Sequence, residues 1–174
     1  VVEEDKIDKV YSFMSEEMKK GRQCMVVYPL IHESEKMDLE AAVKGSERLE
    51  KQFSDYKVAL LHGRMKREEK DNIMGRFAGN DIQLLVSTTV IEVGIDVPNA
   101  TIMLIENAER FGLTQLHQLR GRIGRGLDKG YCILVRRNIT ASSRRRLAIM
   151  ERTTDGFEIS DEDLKLRGPG EFYG

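Results

Sequence analysis

The residues of this sequence best equipped for chemistry on a phosphate are arginines set between glycines: Arg120, Arg122 and Arg125, within QLHQLRGRIGRG at 115–126. A guanidinium keeps its charge at physiological pH and matches phosphate oxygens as a rigid fork. Gly121 and Gly124 leave no side chain between the backbone and an approaching ligand. The same spacing also suits a solvated basic turn, which is what most charge clusters are. The two readings are separated by the elements that would have to position the loop.

Composition bounds those elements. With 174 residues the chain can form one compact domain and carry an appended element, and a domain of this size buries about 70% of its unfolded surface. Charged residues make up 33% and hydrophobic ones 40%, without a long apolar run, so a cytoplasmic protein with no signal peptide and no membrane segment is expected. Cys24 and Cys132 each sit in an apolar run, QCMVVY and YCILV, where a buried free thiol is the expected state. His32, His62 and His117 lack the close pairing of a zinc motif, so no metal site is expected. The net charge of -1 hides a local asymmetry. Between 120 and 152, Arg120, Arg122, Arg125, Lys129, Arg136, Arg137, Arg144, Arg145, Arg146 and Arg152 face only Asp128 and Glu151. Such a run predicts one basic face for a polyanion.

Hydrophobic periodicity supplies the framework. Ile7, Val10, Met14 and Met18 fall on one helical stripe over 4–20, with Gly21 where that helix would stop. QCMVVYP, closed by Pro29, reads as a strand covered on both faces. A second helix at 36–53 carries Leu39, Val43, Ser46, Leu49 and Phe53 in register, and VALLHG follows as a strand. A third helix spans 66–77 and ends before Gly79. IQLLVST, TIMLIE and YCILVR read as further strands, with a helix at 113–120 between the last two. This alternation predicts an α/β domain with a mostly parallel sheet and right-handed crossovers. Ligands of such sheets bind beyond the carboxyl ends of the strands. His62-Gly63, Ser87-Thr88-Thr89 and Glu106-Asn107 fall there, although each would also serve as a turn or helix cap.

The order of these segments resembles a known motor. STTVIEVGIDVPNA and then QLRGRIGRG resemble motifs V and VI of superfamily 2 helicases, and LLHGRMKREEKDNIMGRFAGND resembles the element before motif V. IENAERFGLTQLHQLRGRIGRG, with YPLIHESEKMDLEAA upstream and DGFEISDEDLKLRGPGEFYG downstream, is similar to the RecG family of DNA helicases over essentially the whole chain. The related Mfd family of transcription-repair coupling translocases is the alternative, and Asn107-Ala108-Glu109-Arg110 favours RecG.

The resemblance implies a RecA-like helicase C-terminal lobe over 1–137, a mostly parallel sheet flanked by helices, followed at 138–174 by part of a helical translocation motif. That motif stops at Gly174, before the family's next Arg-Gln stretch, so an incomplete coupling element is expected. ATP would lie in a cleft between two lobes. Arg122 and Arg125 would reach the departing γ-phosphate, Arg125 foremost as arginine finger, with Gln118 and Gly121 near the nucleotide and Asp96 by the ribose after a turn at Gly94. His62, Gly63, Arg64 and Thr88 would touch a DNA backbone without reading its sequence.

No GxxxxGK[ST] loop occurs here, so ATP and Mg2+ would be held mainly by the first lobe of the same polypeptide, and the isolated segment is expected to be inactive. DEDL at 161–164 lacks the apolar strand that precedes a magnesium-binding box. The implied whole is a monomeric ATP-dependent helicase that remodels branched DNA, forks and Holliday junctions, in repair and recombination, with a wedge domain elsewhere in the polypeptide and no membrane partner. A non-catalytic α/β module that holds phosphate or nucleic acid with the same arginines is the remaining reading.

Overall fold

The structure is a computed structural model and describes residues 1–30, 34–88 and 97–168. Its centre is a sheet of six parallel strands: β1 (Val2–Glu3), β2 (Gln23–Tyr28), β3 (Val58–Leu61), β4 (Leu84–Thr88), β5 (Ala100–Ile105) and β6 (Tyr131–Arg136), in the order β1-β6-β5-β2-β4-β3. The helices are α1 (Ile7–Lys19), α2 (Glu35–Gln52), α3 (Arg67–Ala78), α4 (Leu113–Arg120), α5 (Ala141–Arg152) and α6 (Gly156–Arg167), with 3-10 turns at Glu4–Lys6 and Ala108–Arg110.

Side chains alternate across a strand, so each strand feeds two cores. Cys24, Val26, Leu84, Val86, Ile102 and Leu104 pack under α1 (Val10, Met14, Met18) and α2 (Ala42, Leu49). Met25, Val27, Leu85, Met103 and Ile105 pack on the other face with Phe77 of α3, Leu113, Leu116 and Leu119 of α4, Leu147 and Met150 of α5, and Ile159 of α6. Burial on both faces is why β2, β4 and β5 read as unbroken apolar runs. Burial also holds the Cys24 thiol protonated and pushes Cys132 up to about 11, and both cysteines are free.

The first helix starts at Ile7, the first residue of its apolar stripe, rather than at residue 4, because residues 4–6 form a 3-10 turn. It ends at Gly21, whose φ of +87° and N–H bond to the Met18 carbonyl make the left-handed stop that glycine favours. The second helix buries Ser46 and Leu49 of the expected stripe, with Phe53 at its end, but the first half of that stripe shifts: Asp38, Ala42 and Gly45 face inward, while Leu39 and Val43 are only half-buried. Gly45 explains the shift, since the ring of Tyr28, last residue of β2, fills the place where its side chain would be. A Cβ at 45 would lie 2.0 Å from the Tyr28 hydroxyl. Forced overpacking typically costs about 1–3 kcal/mol, against a helix-propensity gain of at most about 1 kcal/mol. Gly45→Ala is therefore expected to lower stability by about 1–2 kcal/mol, read as a lower urea midpoint at unchanged denaturant slope. With α2 meeting Tyr28 at its middle, its first half projects beyond the carboxyl edge of the sheet. There Asp38, buried, takes a two-pronged bond from Arg110 at 2.8 and 3.0 Å.

The segment after 137 adds its apolar residues to the existing core. Arg120 Nη1 donates to the Met150 carbonyl at 2.7 Å, and Arg146 Nη2 donates to the Glu109 carbonyl at 2.8 Å. The Glu109 carboxylate accepts the backbone N–H groups of Arg137 and Asn138. These contacts correct the expectation of a single basic face. Arg136 pairs with Glu3, Arg137 with Glu4 and Glu106, and Arg152 with Glu158, so much of the basic run between 120 and 152 neutralises the domain's own carboxylates and carbonyls. Arg144 and Arg145 remain exposed on α5. Asp163, inside the DEDL segment, is buried against Arg167 on α6 and so serves the helix.

Candidate nucleotide and nucleic-acid sites

The arginine loop begins where α4 runs out. Gly121 and Arg122 donate their backbone N–H groups to the carbonyls of His117 and Leu119, closing the last helical turns. The loop then lies at the amino-terminal edge of the sheet. Arg22, just before β2, bonds Asp128, and a Cβ on Gly126 would stand 2.8 Å from the carbonyl oxygen of Pro98, just before β5. Gly124, at φ +76°, takes the left-handed conformation that glycine favours, and it abuts Gly130, where a Cβ would stand only 2.6 Å from the Gly124 Cα. Gly121, by contrast, has an ordinary helical backbone and room for a Cβ.

Arg125 is exposed, and its Nε–H donates to the Gly121 carbonyl at 2.9 Å. That bond anchors the stem, and it is the one hydrogen bond of Arg125 among the described residues. Arg122 is half-buried, and Gln118 is exposed on the last turn of α4. Arg120 differs from its neighbours. It bonds the Met150 carbonyl and lies 3.4 Å from His117 Nδ1, which makes it a brace between α4 and α5.

Of the remaining expected residues, His62, Gly63, Arg64 and Thr88 occupy the opposite, carboxyl edge, about 17 Å away for a strand of this length. His62 follows β3 and accepts the Arg64 N–H at Nδ1, 3.2 Å away; burial, then the charges of Lys70 and Arg64, hold its imidazole below the usual range and favour the neutral ring. Gly63 and Arg64 are exposed, the Gly63 carbonyl taking Lys70 and Arg64 lying 3.6 Å from Glu35. Thr88 ends β4 buried, with a hydroxyl that has no hydrogen-bond partner among the described residues. Gly94 and Asp96 lie outside the described residues, as do His32 and Thr89.

Beyond these, the carboxyl edge holds Glu106-Asn107, which the sequence places at the ligand-binding ends of the strands without a role. Glu106 is 1% exposed and pairs with Arg137 at 3.0 Å. Asn107 takes the left-handed conformation at φ +47°, which asparagine tolerates better than most residues. Among the described residues no group of three or more His, Cys, Asp or Glu converges as a metal site, and no helix is long and apolar enough to cross a membrane.

With this geometry in view, likeness to known proteins is informative. The RecG ATP-dependent DNA helicase of Thermotoga maritima is 52% identical over 171 residues, 98% of this chain and 22% of the relative. That of Bacillus subtilis is 48% identical over 99% of this chain and 26% of its own length. The chain thus spans about a quarter or less of these relatives. A solved structure of RecG bound to a three-way DNA junction superimposes with a TM-score of 0.82 at 49% identity, over 98% of this chain and 22% of that one. The C-terminal domain of the DEAD-box protein Dbp5, at 18% identity and a TM-score of 0.55, covers 85% of this chain and 77% of its own, and shows the shared RecA-like fold alone. The model of the helicase conserved C-terminal domain matches residues 5–126, from the first 3-10 turn through the arginine loop, and the chain belongs to that family.

Proposed function

We propose that this chain is the second motor lobe of an ATP-dependent DNA helicase of the RecG type. Residues 1–137 form the lobe and 138–174 begin the translocation element. The carrying observation is the setting of Arg125: an exposed guanidinium anchored through Nε alone, on a loop locked to the sheet edge by Arg22–Asp128 and by glycine contacts. Such a group can reach a ligand on another domain without reorganising. As the γ-phosphate leaves, charge accumulates on its oxygens, and positioned cations lower the barrier. Arg125 is the arginine finger and Arg122 its companion. Gln118 and Gly121 line the approach, Gly121 because a ligand comes close there, since the local backbone does not require glycine. Asp96 and Gly94 take the ribose side.

The chain has no phosphate loop, so the first lobe of the same polypeptide holds ATP and Mg2+. DNA lies along the carboxyl edge, against His62, Gly63, Arg64 and Thr88. The two ligands therefore bind opposite edges of one rigid sheet, and closure on ATP moves the DNA-gripping edge with the arginine loop. Repeated closure and hydrolysis move the lobe along a duplex and remodel forks and Holliday junctions. The isolated chain is expected to hydrolyse no ATP and to bind DNA weakly, with affinity falling steeply as salt rises. Robust hydrolysis by the purified chain, abolished in parallel by Arg125→Ala, would refute the half-site reading.

A further inference from the structure

The sheet offers a second place for a ligand, far from the arginine loop. β2 and β5 are hydrogen-bonded neighbours, yet their onward connections leave to opposite faces, β2 into α2 and β5 into α4. The crevice outside the carboxyl ends of two such strands is where open α/β sheets bind ligands. A pocket of about 280 Å³ opens there, walled by Tyr28, by Lys44 and Arg48 of α2, by Glu106 and Asn107 after β5, and by Arg137 after β6.

The lining is chemically specific. Lys44 and Arg48 are exposed and put positive charge on the α2 wall, whereas the Arg137 charge is already matched by Glu4 and Glu106. Glu106 is 1% exposed; one carboxylate oxygen pairs with Arg137 at 3.0 Å, and the other, Oε1, is buried with no hydrogen-bond partner among the described residues. A buried acceptor left unmatched is costly, so the site is built for a group that donates. Burial pushes the Tyr28 hydroxyl up to about 12, so it keeps its proton. Asn107 stands beside it in the left-handed conformation, a kind of strain that collects at functional sites. The volume is at the small end for ligand pockets, roughly 300 Å³ upward, which suits a phosphate with its sugar.

We propose that this pocket binds a phosphate ester that also carries a free hydroxyl, Lys44 and Arg48 taking the phosphate and Glu106 Oε1 accepting the hydroxyl hydrogen. A nucleoside monophosphate has that combination, and so has the terminal nucleotide of a strand. An internal DNA phosphate lacks it, because both flanking sugar hydroxyls are esterified. The inference does not rest on the motor reading, whose nucleotide lies at the opposite edge.

Adenosine monophosphate titrated into the 174-residue chain and followed by amide NMR is expected to shift Gly45 and Asn107 saturably. Replacing Lys44 and Arg48 together by alanine, both on the surface of α2, should weaken binding about tenfold or more. The 2′,3′-dideoxy analogue should bind unaltered protein about tenfold more weakly, because Oε1 again goes unmatched. Displacement of the nucleotide by a short single strand with a free 3′-hydroxyl would assign the pocket to strand ends, and failure to displace would assign it to free nucleotide. Shifts confined to the arginine loop, equal affinity for the dideoxy analogue, or indifference to the Lys44 and Arg48 substitutions would each overturn the proposal.

Discussion

Arg125→Ala in the full-length helicase is expected to lower ATP turnover about a thousandfold or more, the scale of an arginine finger, with the melting temperature almost unchanged. The contrast follows from the local structure. Among the described residues Arg125 makes one hydrogen bond, from Nε to the Gly121 carbonyl, and it is exposed. Its removal costs the fold no more than an ordinary surface substitution, about 0.5 kcal/mol. The lost function is large because a guanidinium aimed at developing charge in a water-poor cleft acts where electrostatic stabilisation is strongest. ATP affinity should change little if, as proposed, the first lobe holds the nucleotide; steady-state kinetics with a parallel melting curve separates the effects. A mutant with near-normal turnover would sink the assignment.

Arg137→Ala carries the largest expected cost in stability. The Glu106 carboxylate that it faces is buried, and Arg137 reaches it through Nε at 3.1 Å and Nη2 at 3.0 Å while also pairing with Glu4. Removing one member of a buried pair strands the other charge, typically at about 3–5 kcal/mol. Because part of the Arg137 side chain stays accessible, the lower end, about 3 kcal/mol, is expected. Adding Glu106→Leu should recover much of the loss, because the uncompensated carboxylate is then gone. Urea denaturation of the single and double variants measures this, and a single variant as stable as the parent would show that water already screens Glu106.

Much of the fold was legible because its signals are local. The helix at 113–120 coincides with α4, where an apolar stripe of Leu113, Leu116 and Leu119 ends against Gly121. The central strands were visible as apolar runs because both faces are covered. β1 was not legible: Val2–Glu3 is too short for any periodicity, and it exists through pairing with Val135 and Arg136. The inward stripe of α2 was displaced because Asp38 is buried by Arg110, 72 residues away, and because Gly45 makes room for Tyr28.

The site divides in the same way. Arginines and glycines of the loop stand out in the sequence, but their place at the amino edge is set by Arg22 and Pro98, remote in the chain. The basic run misled because formal charge does not reveal which guanidiniums are consumed internally; Arg120, Arg136, Arg137 and Arg146 each brace the domain. Glu106 has no sequence signal beyond its position after a strand. Only the pairing of one of its oxygens and the isolation of the other mark it out.

The central claim is that the arginine loop of this lobe completes a nucleotide site whose other half lies on the first lobe. The most direct measurement is a structure of the full-length helicase with DNA, ADP, Mg2+ and aluminium fluoride as the mimic of the departing phosphoryl group. The account predicts the Arg125 guanidinium within hydrogen-bonding distance of the fluoride, about 3 Å, with Arg122 beside it. A closed complex in which the loop faces solvent and no residue of this lobe touches the fluoride would contradict it.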